Sequence, residues 1–238
     1  MSLTGMKINI NGNMVPLPEG FEDYIDWNCA AIVELDMHGG HLDPEADCPA
    51  PSARGRDIID DVNRFNAACR KLGIPVIHIV NTYRAGDFEG VESGWRRITE
   101  GHYSMLGMSE STKYYGNLGL EGTKWSALVV ENKPEDIVVN TKKRVTAFET
   151  TDLQMVMSAL NKDVMVITGI MTNCCDLCTA YYAGSKDYKV ILCADMTRGS
   201  NPSDEAAAGL MVSRYIGLNT NAEELLREWR AQKAAGEA

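Results

Sequence analysis

VMVITGIMTNCCDLCTAYYAG, residues 164–184, changes character halfway along. The first seven residues form a β-rich apolar run of the kind that marks a strand covered on both faces. The run breaks at Gly169 and hands over to a helix-like stretch, about Cys174 to Ala183, that carries three cysteines. A cysteine in the first turn of a helix lies beside free backbone N–H groups and the positive end of the helix dipole. Both favour thiolate over thiol, so the segment offers a candidate nucleophile with its activating surroundings.

Working outward, short apolar runs alternate with helix-period segments on both sides. AAIVEL (30–35) reads as a strand, SARGRDIIDDVNRFNAACRKLG (52–73) as a helix, and IPVIHIVNTY (74–83) as a strand. The helix places Ile58, Ile59, Val62, Phe65, Ala68 and Cys69 at three- and four-residue steps and stops at Leu72-Gly73, before Pro75. The alternation resumes with DIVVNT (136–141), a helix from about Thr151 to Asn161, the strand at 164–170, and the cysteine-bearing helix. YKVILCAD (188–195) and a helix from about Ser203 to Ile216 follow. Repeated β-α-β units predict a three-layer α/β/α fold around a mostly parallel, doubly wound sheet. AEELLREWRAQKAA reads as a terminal helix whose Leu225 and Trp229 pack on the body or on a neighbouring subunit.

Residues 1–238 read as one domain with an N-terminal extension over 1–28. Between Arg84 and Glu135 the pattern lapses into a segment rich in Gly, Tyr, Trp and charge, the signature of a lid, binding loop or subunit contact. Hydrophobic residues make up 45% and charged residues 24%, a globular composition, and no apolar run approaches a bilayer span. With 33 acidic against 23 basic residues the formal charge is -10, which disfavours nucleic acid and anionic membrane as partners. Seven cysteines, an odd number in a chain of this size, read as reduced thiols, and MSLTGMKINI lacks a secretory apolar core. A cytoplasmic protein is the expectation.

In an open parallel sheet, ligands bind at the carboxyl ends of strands. The residues standing there are Asp36, the pair Lys142-Lys143, and the turn leading to Cys175. A carboxylate that accepts the thiol proton, beside an ammonium that holds the thiolate, makes a nucleophilic site without histidine.

These segments also carry a resemblance. IVELDMHGGHLDP is similar to the first-strand motif of the isochorismatase-like cysteine hydrolases, NTKKRVTAFETTDL resembles their Lys-x-x-x-Ser-Ala-Phe and Thr-Asp-Leu, and GIMTNCCDLCTA resembles their Gly-Val-x-Thr-x-x-Cys-x-x-x-Thr-Ala. The resemblance spans about residues 30–218 and implies the isochorismatase-like fold. It implies Asp36 as proton acceptor, Lys142 as activating cation and Cys175 as nucleophile. It further implies a cis peptide at Ile170-Met171, aiming the Met171 and Cys175 amides into an oxyanion hole. The function implied is hydrolysis of a C–N bond in a small amide, ureido or N-carbamoyl compound through a thioester, as in the N-carbamoylsarcosine amidase and ureido-amidohydrolase branch. Alternatives are isochorismate-type vinyl ether hydrolysis, disfavoured by the retained Cys175, and a non-catalytic binding protein on the same scaffold. NTYRAGDFEG lacks the metal-binding histidines of the nicotinamidases, so neither metal nor cofactor is expected. Relatives commonly assemble as dimers or tetramers, which makes a homo-oligomer the expectation.

This chain departs from the family in having His38-Gly39-Gly40-His41 after Asp36-Met37. Both histidines are candidates for touching substrate across a flexible Gly-Gly turn; a mixed metal site with Asp36 and Asp43 is the competing reading. Glu34, two residues before Asp36, shares its face by strand period. It reads either as a second carboxylate near the site or as a buried structural ion pair. Arg84, Arg96, Arg97 and Arg198 could meet a substrate carboxylate, Trp95, Tyr103 and Trp125 could wall a pocket, and Thr146 lies in the lysine motif. Cys175-x-x-Cys178 has redox spacing, but Cys178 falls one helical turn on, as a packing residue would.

Overall fold

The structure, a computed structural model, describes residues 5–84 and 118–236. Six strands form one parallel sheet: β3 (Ala30–Leu35), β4 (Val76–Asn81), β5 (Ile137–Lys142), β6 (Val164–Ile170), β7 (Lys189–Arg198) and β8 (Gly217–Thr220). Their order is β5-β4-β3-β6-β7-β8. The chain winds outward from β3 in one direction and from β6 in the other, so the switch point lies between β3 and β6. A separate antiparallel hairpin, β1 (Lys7–Ile10) and β2 (Asn13–Pro16), precedes the sheet.

The strands alternate between two apolar layers. Ile32, Val164, Val166 and Ile170 face one layer; Ala31, Val33, Leu35, Met165 and Ile167 face the other. The first layer is closed by α3 (Ile59–Leu72) and, at the end of the chain, α7 (Ala222–Gly236); the second by α4 (Leu153–Ala159), α5 (Leu177–Gly184) and α6 (Pro202–Tyr215). Both faces are thus withdrawn from water, which is why the central strands carry apolar residues on both faces rather than at alternate positions only. Leu225 and Trp229 are fully buried in the first layer, the indole donating to the Ile25 carbonyl at 3.2 Å. They pack on the body of their own chain. Among the described residues no helix is long and apolar enough to cross a membrane.

Three local features differ from the sequence reading. The helix expected over 52–73 is in two pieces, α2 (Ala53–Arg56) and α3, because Ile58 at ψ −1 steps out of the helical ladder. Gly55, before the step, has no room for a Cβ between Leu42, Ser52 and Ile170, which wedges α2 against the end of β6. β7 runs three residues past Asp195, through a register shift against β6. The hairpin and β8 went unread, although Asn11-Gly12 has the positive φ pair, 53 and 83, of a two-residue hairpin turn.

Candidate active site

Asp36 follows β3 and Cys175 follows β6, on the two sides of the switch point. Gly169 is the reason these strands can end so close together: its φ is 105, and a Cβ there would collide with the Leu35 carbonyl. Asp36 itself has φ 55 and its N–H donates to the Ile79 carbonyl at 2.8 Å, so the chain leaves the sheet at this residue. Lys142 arrives from edge strand β5, two strands away from β3. At about 4.8 Å per strand, a long side chain is needed to bridge that distance.

The three side chains meet. Lys142 Nζ lies 2.6 Å from Asp36 Oδ2 and 3.4 Å from Cys175 Sγ, with Lys142 and Asp36 fully buried and Cys175 half-buried. The neighbouring cation points elsewhere: Lys143 Nζ donates to the Thr82 carbonyl at 2.9 Å. Cys175 sits in a single π-helical turn, Thr172–Asp176, ahead of α5, and the preceding Ile170–Met171 peptide is cis. The Cys174 and Asp176 N–H groups both close on the Met171 carbonyl, at 2.9 and 3.2 Å. The Cys175 N–H between them takes no part in these bonds.

Electrostatics set the resting protonation. Burial pushes the Asp36 carboxyl up, but the Lys142 ammonium, with His38 and His41 nearby, brings the carboxyl below its ordinary range. Burial works against the Lys142 charge, yet Asp36 and Cys175 raise its pKa above the usual lysine value. The Cys175 thiol is pushed well above the thiol range by its contact with Cys174 and by burial, with Lys142 pulling the other way. Burial and the neighbouring thiol thus act against the thiolate that backbone N–H groups in a first helical turn would favour, while the same contact lowers the Cys174 pKa. At neutral pH the site therefore holds a carboxylate, an ammonium and a thiol.

His38 and His41 stand beside this group, their rings 5.0 Å apart. His38 is fully buried, with Nδ1 2.7 Å from the Trp125 carbonyl; His41 Nδ1 lies 2.9 Å from the Ala50 carbonyl. Desolvation, with His41 nearby, lowers the His38 pKa to about 3, and desolvation lowers that of His41 as well. The Gly-Gly pair between them opens a single helical turn, α1 (Gly39–Leu42), that is packed rather than flexible. A Cβ on Gly39 would strike the Lys124 carbonyl, and one on Gly40 the Leu118 side chain. Among the described residues no three His, Cys, Asp or Glu side chains are placed to hold a metal ion.

The remaining sequence candidates disperse. The Thr146 hydroxyl accepts the Phe148 N–H at 3.3 Å, a local turn bond. Arg84 is exposed just past β4, and the Arg198 guanidinium donates to its own neighbours' carbonyls, Asp195 and Thr197. Trp95, Arg96, Arg97 and Tyr103 lie outside the described residues, as does most of the 84–135 segment. Glu34 bonds to His78 Nδ1 at 2.7 Å and accepts from Asn66 at 2.5 Å, which makes it part of a buried structural pair. Strand period put it on the face of Asp36, but Asp36 is already beyond the strand. All seven cysteines are free thiols.

Two residues escaped the sequence reading. Tyr83, beyond β4, is close enough to Lys142, Asp36 and Cys175 to feel their charges, and burial pushes its phenol up to about 12. Asp176, next to Cys175, is fully buried with neither carboxyl oxygen partnered among the described residues, and desolvation together with Asp36 pushes its pKa well up. A charged residue directly after the cysteine was its visible signal.

A doubly wound sheet that gathers a thiol, a carboxylate and an ammonium at its switch point defines a class of α/β hydrolases. Residues 30–232 match the family model described as the isochorismatase domain, and the chain belongs to that family. It is 29% identical over 210 residues to the ureidoacrylate amidohydrolase RutB of Yersinia enterocolitica, covering 82% of this chain and 87% of that one. The N-carbamoylsarcosine amidase of an Arthrobacter species is 24% identical over 187 residues, 76% of this chain and 64% of the relative. Among solved structures, a cysteine hydrolase from Pseudomonas syringae pv. phaseolicola superposes with a TM-score of 0.71 at 19% identity, covering 87% of this chain and 95% of that one. The pyrazinamidase of Pyrococcus horikoshii in complex with zinc gives 0.63 at 20%, covering 81% and 99%.

Proposed function

We propose that this chain is an amidohydrolase that cleaves the C–N bond of a small amide, ureido or N-carbamoyl compound through a thioester on Cys175. The observation that carries the reading is Lys142 Nζ, placed between Asp36 Oδ2 at 2.6 Å and Cys175 Sγ at 3.4 Å. The relatives named for ureidoacrylate and N-carbamoylsarcosine support the substrate class.

The resting state dictates the order of steps. The thiol is protonated, so Asp36, held ionised, takes the Cys175 proton as sulfur attacks the carbonyl carbon. Lys142 stays charged throughout and stabilises first the carboxylate and then the developing thiolate. The Met171 and Cys175 amides receive the oxyanion of the tetrahedral intermediate. Collapse breaks the C–N bond, and Asp36 returns its proton to nitrogen, which leaves as ammonia or an amine. A water then gives one proton to Asp36 and adds its hydroxide to the thioester. The C–S bond breaks, the acid departs, and the proton passes from Asp36 back to sulfur.

In this reading residues 1–238 form one domain, and the protein works as a homo-oligomer in the cytoplasm. The test is ammonia release from a panel of small amides, ureides and N-carbamoyl acids, with and without iodoacetamide. Release abolished by alkylation and by Cys175→Ala, but kept in Cys174→Ala, is the expected result. Silence across the panel, or release indifferent to Cys175, overturns it.

A further inference from the structure

His38 occupies a fixed position with one unused valence. Its Nδ1 is 2.7 Å from the Trp125 carbonyl and 3.2 Å from the Gly40 N–H. A carbonyl oxygen cannot donate, and two lone pairs at 2.7 Å would repel, so the shorter contact requires the proton on Nδ1. Nε2 then carries a lone pair. It is buried and has no hydrogen-bond partner among the described residues.

The same is true of Asp36. Its Oδ2 is bound by Lys142, while Oδ1 is buried without a partner. The two side chains are two residues apart on a tight segment, where the His38 N–H donates to the Asp36 carbonyl at 2.9 Å. Each feels the charge of the other and of Lys142. The packed Gly39-Gly40 turn and the Trp125 carbonyl prevent the imidazole from turning away. Protonation does not rescue the lone pair either, since the ring stays neutral down to about pH 3. Two acceptors, one on the carboxylate that Lys142 holds and one two residues further on, both lacking donors among the described residues, call for a ligand group with two hydrogens.

We infer that His38 Nε2 and Asp36 Oδ1 receive the two N–H hydrogens of the substrate's scissile –NH2, which makes His38 a specificity residue for primary amides and terminal carbamoyl groups. This rests on the amidohydrolase reading and narrows it: the leaving group is ammonia, not a substituted amine. A carboxylate or ester oxygen at that position would face two lone pairs and be disfavoured.

A matched series separates the two claims. An N-carbamoyl amino acid offers –NH2, its N′-methyl analogue offers one hydrogen, and the methoxycarbonyl analogue offers none. The wild type is expected to prefer the first over the second by about 100-fold or more in kcat/KM, since a site built to bind a donor rejects the analogue lacking it. His38→Leu is expected to lose about 30-fold or more on the carbamoyl substrate while the methoxycarbonyl analogue changes by less than about threefold. His38→Gln, which restores an acceptor oxygen, keeps more of the carbamoyl rate than His38→Leu. Equal losses on all three substrates, or none, overturn the inference.

A second readout is independent of turnover. The imidazole nitrogen resonances of ¹⁵N-His-labelled protein, assigned with His38→Gln, are expected to show His38 Nε2 unprotonated from pH 5 to 9 and shifted by methylurea but not by acetate. If no substrate is hydrolysed but this shift occurs, the amidohydrolase reading fails and the –NH2 site stands. A protonated Nε2, or a resonance unmoved at saturating methylurea, overturns the site itself.

Discussion

Strand β3 and the residue just past it each supply a carboxylate to a buried charge cluster, and the clusters differ in how their central side chains are partnered. Glu34 accepts from Asn66 and pairs with His78; the other His78 nitrogen lies 3.3 Å from Asp136, which is gripped by the Arg70 guanidinium at 2.7 and 2.8 Å. Both oxygens of Glu34 and both nitrogens of His78 are engaged. Two residues on, Asp36 has one oxygen on Lys142 and the other, among the described residues, without a partner, near a histidine whose Nε2 is likewise unpartnered. Burying a polar atom without a partner costs about 1–3 kcal/mol. Around Glu34 and His78 the leftover buried atoms lie at the margin, on Asn66 Oδ1 and one Arg70 nitrogen, whereas around Lys142 they lie on Asp36 and His38 themselves.

If the open cluster is chemical and the closed one structural, mutations should divide between activity and stability. Cys175→Ala is expected to cut turnover by about 10⁴-fold or more with little change in the urea midpoint, whereas Cys174→Ala keeps most activity. The reverse ranking in steady-state assays would exchange the roles of the two cysteines. Lys142→Met should cost both: turnover falls by about 10²-fold or more, and stability by about 3–5 kcal/mol, because Asp36 is left as a buried, unpaired charge. A variant that is inactive yet as stable as wild type in urea would mean that Asp36 is more solvated than its burial implies.

Glu34→Gln is the converse case. It breaks the His78 pair and is expected to cost about 3 kcal/mol in urea unfolding while kcat stays within about twofold. Loss of kcat in the folded variant would tie the two clusters together. The pH dependence sharpens this further. Desolvation opposes the His78 charge, but Glu34 and Asp136 raise its pKa above 6.5. The stabilisation is therefore complete below about pH 6.5 and lost as pH rises through the raised value. The gap in urea midpoint between wild type and His78→Asn should narrow from pH 6 towards alkaline pH; a constant gap would mean that His78 is held by packing alone.

The smallest effect concerns Asp176. Its folded pKa is raised, so it costs nothing below about pH 3.8, where folded and unfolded forms are both protonated, and costs stability above that. Asp176→Asn should raise the urea midpoint at pH 7 and lose that gain towards pH 3. A destabilised Asn variant at pH 7 would show that the carboxyl is needed, and place Asp176 with the open cluster.

Much of the scaffold was legible because burial on both faces leaves short, nearly continuous apolar runs at the central strands. AAIVEL and VMVITGI match β3 and β6 residue for residue. The short β8, GLNT, has too few apolar residues to register, and the hairpin was betrayed only by Asn11-Gly12. The helix split at Ile58 is a packing event at Gly55, invisible to a periodicity that continues through it.

By itself, then, the sequence determined the order of strands and helices, the strand ends at which chemistry would sit, and the Cys, Asp and Lys motifs, since these depend on local pattern and spacing. The tertiary structure alone decided that Glu34 belongs to His78 and that burial and the Cys174 contact push the Cys175 thiol up. It also decided that His38 keeps an unused lone pair. Each of these depends on which distant residues share a buried volume, and desolvation and Coulomb energy follow distance in space rather than separation along the chain.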